Sequence, residues 1–164
     1  VPNLQGSSQF SQYGADVGLD MKDLADSSSE NWQELWLLLA QLQSIDPAEL
    51  VRSGGGDKRE DGVIEFPWTS YHPTVNRIEE LLYDLNVIQD VDWSRWKSEI
   101  DPELVFDVER IKSGSLYDTI CLLTGIIRTE RFRSGVIARS LLDGTFVMLL
   151  KSLNAIIKNG TIDN

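Results

Sequence analysis

The fold is decided by Ser115-Leu-Tyr-Asp-Thr-Ile-Cys-Leu-Leu-Thr-Gly-Ile-Ile-Arg-Thr-Glu-Arg-Phe-Arg-Ser-Gly135. Leu116, Ile120, Leu123 and Ile127 recur at helical spacing, and Tyr117, Cys121, Leu122 and Ile126 widen the stripe. A stripe that wide predicts a helix covered by neighbours on most sides. Ser115 suits an N-cap, and Asp118, at the third helical position, suits the positive helix terminus. The last turn changes character to Arg128, Arg131 and Arg133, with Phe132 among them. The most buried helix of the chain thus ends in its densest positive charge.

Outward from this stretch, the pattern predicts a mainly α, compact single-domain bundle of six to eight helices with a short two-stranded β-ribbon at one edge. On the N-terminal side, residues 1–29 are rich in Ser, Gly, Gln and Asp and read as a flexible or loosely docked tail, with residues 30–160 as one helical domain. Trp32, Leu35, Trp36, Leu39 and Leu42 share one face of a helix starting after Ser29. Asp46-Pro47 caps a brief helix through Val51, and Gly54-Gly-Gly with the charges after it reads as an exposed loop. Alternation over Val63–Trp68 predicts a short edge strand, with Val87-Ile88 as its expected partner. Between them Pro73 opens a helix with Val75, Ile78, Leu82 and Leu85 in line, ended by Asn86 in the left-handed conformation. Asp92 and Asp101 cap two further helices, and beyond Gly135 two more follow, separated by Gly144.

The chain has 164 residues and a formal net charge of −11. Residues 31–100 hold thirteen acids against six bases, whereas residues 101–164 hold eight of each. Such acidity repels phosphate backbones, so general nucleic-acid binding is disfavoured. The single cysteine, Cys121, rules out an intramolecular disulfide and a cysteine-rich zinc site. No charged-then-apolar leader pattern stands at the start, so a reducing cytoplasm is the expected location. Apolar runs such as Phe146–Leu150 are too short to span a bilayer, and no membrane partner is expected.

The residues around this frame resemble a bacterial domain-of-unknown-function family (number six-five-zero-eight) from about Trp32 to Leu153. The resemblance rests on the Trp-containing first helix, Pro67, Tyr71 and the Val75 helix, then Asp92-Trp93 with Trp96. Leu122-Leu-Thr, Arg128-x-x-Arg131-Phe132-x-x-Gly135-x-Ile137 and Gly144-x-Phe-Val-x-Leu-Leu-x-x-Leu153 complete it. Ser134 stands where the family pattern usually has an acid. The resemblance implies a small intracellular bacterial or phage-encoded protein and brings no established activity.

Arg128 and Arg131 lie three apart, on one helical face that Gly135 and Arg139 extend. Two readings follow. In one, the guanidiniums and the amides of the Ser134-Gly135 turn hold a phosphate or carboxylate. In the other, the arginines pair with Asp92 or Glu65 and complete the helix terminus. Tyr71, His72, Asp92, Trp93 and Trp96 are possible surface contributors, although a turn role suits His72, and a cap with core anchors suits Asp92, Trp93 and Trp96. Glu130 reads as a solvated surface acid. No catalytic set, cofactor motif or metal-ligand spacing is present. The reading is a non-catalytic protein-binding or regulatory module with a protein partner. The alternatives are a phosphate- or nucleotide-handling protein or enzyme, and an acidic inhibitor or immunity-like protein presenting Glu79, Glu80, Asp84 and Asp90.

Overall fold

Leu116–Glu130 form one helix, opened by a reciprocal capping box. The Ser115 hydroxyl accepts from the Asp118 N–H at 3.1 Å, and the Asp118 carboxylate accepts from the Ser115 N–H at 3.1 Å. Two amides that a helix start leaves unpaired are thereby satisfied. Every residue from Tyr117 through Ile127 is buried, so this helix is covered around its circumference, as the wide apolar stripe predicts.

The computed structural model describes residues 24–26, 28–58, 60–91 and 108–160. In chain order the elements are α1 (Glu30–Leu42), α2 (Pro47–Leu50), β1 (Val51–Gly54), β2 (Trp68–Tyr71) and α3 (Pro73–Asp84). They continue with α4 (Val108–Ser113), α5 (Leu116–Glu130), α6 (Val136–Leu142) and α7 (Thr145–Gly160). The helices expected over residues 92–107 lie outside the described residues, as do Asp92, Trp93 and Trp96.

The fold is mainly α with one two-stranded antiparallel ribbon. α1 packs on α3, and α7 packs on α4, α5, α6 and α1. One core joins Trp32, Leu35 and Leu39 of α1 to Ile78 and Leu82 of α3, Ile120, Leu123 and Ile127 of α5, and Phe146 and Leu149 of α7. Each such side chain contributes about 1.5–3 kcal/mol when fully buried. Arg77 of α3 clamps α1 from outside this core, gripping Glu34 with Nε at 2.7 Å and Nη2 at 2.9 Å. The N-terminal segment docks as well: Leu24 is buried and the Ala25 N–H donates to Leu85 O at 3.1 Å. α6 and α7 meet at a bend of 79°, with Gly144 at φ +81° between them. No single helix among the described residues is long and apolar enough to cross a membrane.

The ribbon differs from the expected pairing. Its strands are Val51–Gly54 and Trp68–Tyr71, in register Val51 with Tyr71 and Gly54 with Trp68. α2 therefore stops at Leu50, and Val51 is the first strand residue. The expected partner, Val87-Ile88, is a helix terminus instead. Asn86 is left-handed at φ +57°, the Val87 N–H reaches Leu82 O at 2.9 Å, and the Asn86 N–H reaches Tyr83 O at 2.9 Å. That is a Schellman cap, and Val87 and Ile88 are apolar because they tuck under α3.

Cys121 is buried on α5, and burial pushes its thiol up to about 12. A thiolate-selective reagent near neutral pH should then label it only through unfolding. We expect labelling of the native chain to be slower than in denaturant by roughly a hundredfold or more. Equal rates would place the thiol at the surface.

Candidate functional site

The ribbon hands the chain to α3 through one residue. The His72 N–H donates to Leu50 O at 2.9 Å, while its Nδ1 accepts from the Thr74 N–H at 3.2 Å as the N-cap of α3. Proline at the next position fits the helix start. Because Nδ1 serves as the cap acceptor, His72 acts as the turn residue its sequence position suggests.

Tyr71, at the ribbon's base, meets the far end of α5. Its hydroxyl donates to Glu130 Oε1 at 2.6 Å. The same carboxylate accepts from the Gly135 N–H at 2.8 Å through Oε1 and from the Ile137 N–H at 2.8 Å through Oε2. Gly135 adopts φ +94°, a left-handed conformation that folds the chain back over the end of α5. The turn amides thus converge on an acceptor, and that acceptor is Glu130. Glu130 is a half-buried structural acid rather than a solvated one. Burial first, and the Glu130 hydrogen bond second, hold the Tyr71 hydroxyl protonated well above the ordinary tyrosine range.

The arginines surround this junction without entering it. Arg128 Nη1 donates to Asp90 at 3.0 Å, a pair whose acid is almost fully exposed and so contributes little. Arg131 Nη2 donates to Tyr83 Oη at 2.7 Å, and its guanidinium carbon lies 5.2 Å from that ring's centroid. Glu79 is half-buried nearby; burial raises its carboxyl above the usual range, which the charge of Arg131 partly offsets. Arg139 is exposed in the last turn of α6, and Arg133 is exposed in the connecting turn. The structure thus gathers Tyr71 and Gly135 on Glu130, turns Arg131 to Tyr83, and directs Arg128 to Asp90, two residues before the expected Asp92. Among the described residues no group of three or more His, Cys, Asp or Glu side chains is arranged to hold a metal ion.

Replacing Arg131 by Ala should cost about 1 kcal/mol, the worth of one exposed stacking contact with its hydrogen bond. Inorganic phosphate should leave the melting temperatures of wild type and variant equally unmoved. A phosphate-induced rise that disappears in the variant would restore the anion site.

Exposed apolar side chains form a second feature, on the stretch that the sequence pattern assigns to a short edge strand. Val63, Ile64, Phe66 and Trp68 are 55%, 62%, 88% and 46% exposed. The segment is nonetheless tied back on itself beyond β1 and β2: Lys58 and Ile64 form an isolated antiparallel bridge and the Gly56 N–H donates to Glu65 O at 2.6 Å, which makes an arm of it. Gly55 is required there, because a Cβ would sit 2.2 Å from Phe66 O and its φ is +81°. Phe132, between Arg131 and Arg133, is 91% exposed as well.

Together these observations define a helical domain carrying an ordered, apolar-faced ribbon anchored to an internally capped turn. The chain belongs to the Family of unknown function (DUF6508), whose model matches residues 27–159. No curated protein or solved structure matches it.

Proposed function

We propose that the chain is a non-catalytic protein-binding or regulatory module of a bacterial cell or its phage, working in the cytoplasm, with the Val63–Trp68 arm as its recognition surface. The observation that carries this reading is four large apolar side chains, close together in sequence, exposed on an ordered ribbon. Apolar rows of that kind mark contact surfaces, because water is their least favourable neighbour. The polar groups at the ribbon's base support a non-catalytic reading: Tyr71 is bonded to Glu130, His72 caps α3 and Arg128 pairs with Asp90. The acidic-inhibitor alternative is weakened, since Glu80 and Asp90 already pair with Arg77 and Arg128. The phosphate alternative is weakened because Glu130 already takes the turn amides.

Phe132, exposed and flanked by arginines, favours a second surface at the α5–α6 turn. A photocrosslinking residue placed at position 66 or at position 132, in cells of the chain's own source, separates the two. A discrete protein adduct from position 66 supports the arm. Adducts from position 132 alone move the surface to the turn, and none from either position overturns the reading.

A further inference from the structure

We infer that the arm receives an extended, cationic segment of a different protein, an inference that rests on the arm being the recognition surface. Ile64, Phe66 and Trp68 are two residues apart, the spacing of one face of an extended chain, and all three are exposed, so they form an apolar row. The row is held before any partner arrives. Trp68 lies across Gly54, where a Cβ would meet its indole at 2.8 Å, so the glycine gives the ring its resting place. Among the described residues the ribbon has two strands and no third, leaving its outer edges as templates for an added strand. Strand addition reads alternate side chains of the incoming segment, which matches a row spaced by two.

Charge selects the occupant. In sequence, residues 51–71 carry Asp57, Glu60, Asp61 and Glu65 against Arg52, Lys58 and Arg59, within residues 31–100, which hold thirteen acids and six bases. A second copy of the chain would bring the same acidic arm and a net charge of −11 to meet its like. The chain's own first residues carry Asp16, Asp20 and Asp23 against Lys22, so they too are acidic. A segment alternating Lys or Arg with apolar residues satisfies both the row and its rim.

The test uses the full chain and short synthetic peptides at about 150 mM salt, where only close charges still attract. A peptide of alternating Lys and Val should bind, and one of alternating Glu and Val should not. Alternating Lys and Ser should bind about tenfold more weakly, because it lacks the apolar anchors. Phe66→Ala should weaken the Lys-Val peptide by about tenfold with the melting temperature unchanged, since Phe66 touches water rather than the core. Two outcomes overturn the cationic partner while leaving the arm as the surface. One is equal or better binding of the Glu-Val peptide, lost in Phe66→Ala; the other is a concentration-dependent dimer in sedimentation that Phe66→Ala dissolves. If Phe66→Ala binds the Lys-Val peptide as wild type does, the arm itself is the wrong surface and both readings fall.

Discussion

Glu130→Ala is expected to lower the free energy of unfolding by about 3 kcal/mol, which for a chain of this size means a melting point lower by about 6–12 °C. Three donors lose their acceptor at once: the Tyr71 hydroxyl and the Gly135 and Ile137 amides. Bonds to an ionised acceptor exceed the neutral average, and the half-buried site leaves the orphaned amides poorly rehydrated. Glu130→Gln keeps one carbonyl oxygen and should lose about half as much. Tyr71→Phe removes one donor and should cost about 1 kcal/mol, with a coupling to Glu130→Ala of similar size in a double-mutant cycle. Urea titrations measure all three, and a Glu130→Ala loss below about 1 kcal/mol would mean that water serves these amides equally well.

The same junction sets an alkaline limit. The Tyr71 hydroxyl keeps its proton above its ordinary value of 10.0 when folded. In rising alkali the unfolded chain releases that proton first, so unfolding gains. The stabilisation is complete below about pH 10 and is lost above it. Wild type should therefore lose more stability than Tyr71→Phe on going from about pH 9 to about pH 11.

Trp32→Ala is expected to cost about 3–5 kcal/mol. The side chain is 1% exposed, stacks on Trp36 with ring centroids 5.4 Å apart, and donates from Nε1 to Ala25 O at 3.2 Å. Truncation removes the largest fully buried side chain of α1 and leaves a cavity that the surrounding helices can only partly close. It also removes one of the hydrogen bonds at Ala25, whose N–H still donates to Leu85 O. Trp32→Phe keeps most of the volume and should lose about 1–2 kcal/mol, chiefly the hydrogen bond and part of the stack. A Trp32→Ala loss below about 2 kcal/mol in urea unfolding would show that the core collapses around the gap.

Those features that depend on neighbours in sequence were legible. Ser29, Asp46-Pro47, Ser115 with Asp118, and left-handed Asn86 are all local chemistry, and the structure has each in its expected role. Ribbon pairing was not legible, because choosing a partner strand is a long-range decision. Val51-Arg-Ser-Gly54 carries one apolar residue and advertises no strand, while Val87-Ile88 looks extended for the unrelated reason that it seals a helix end. The arginine turn was legible as a place, while its acceptor was not: Glu130 reads in sequence as a solvated acid, and its carboxylate takes the turn amides. One signal was available: Glu130 is an acid in the last turn of a helix, opposed to that helix's own dipole, and such a misfit calls for donors from elsewhere. Arg77 gripping Glu34 had no comparable sign, since the two lie 43 residues apart.

Glu130 also fixes how the turn responds to anions in solution. A phosphate offered to the Gly135 and Ile137 amides faces a tethered rival whose effective concentration is on the order of millimolar or higher. Free anions well below that level lose the exchange, and those that win must first displace the Glu130 carboxylate. The turn is thereby buffered against the ionic composition around it, and the ribbon it anchors keeps its position while salts and metabolites vary.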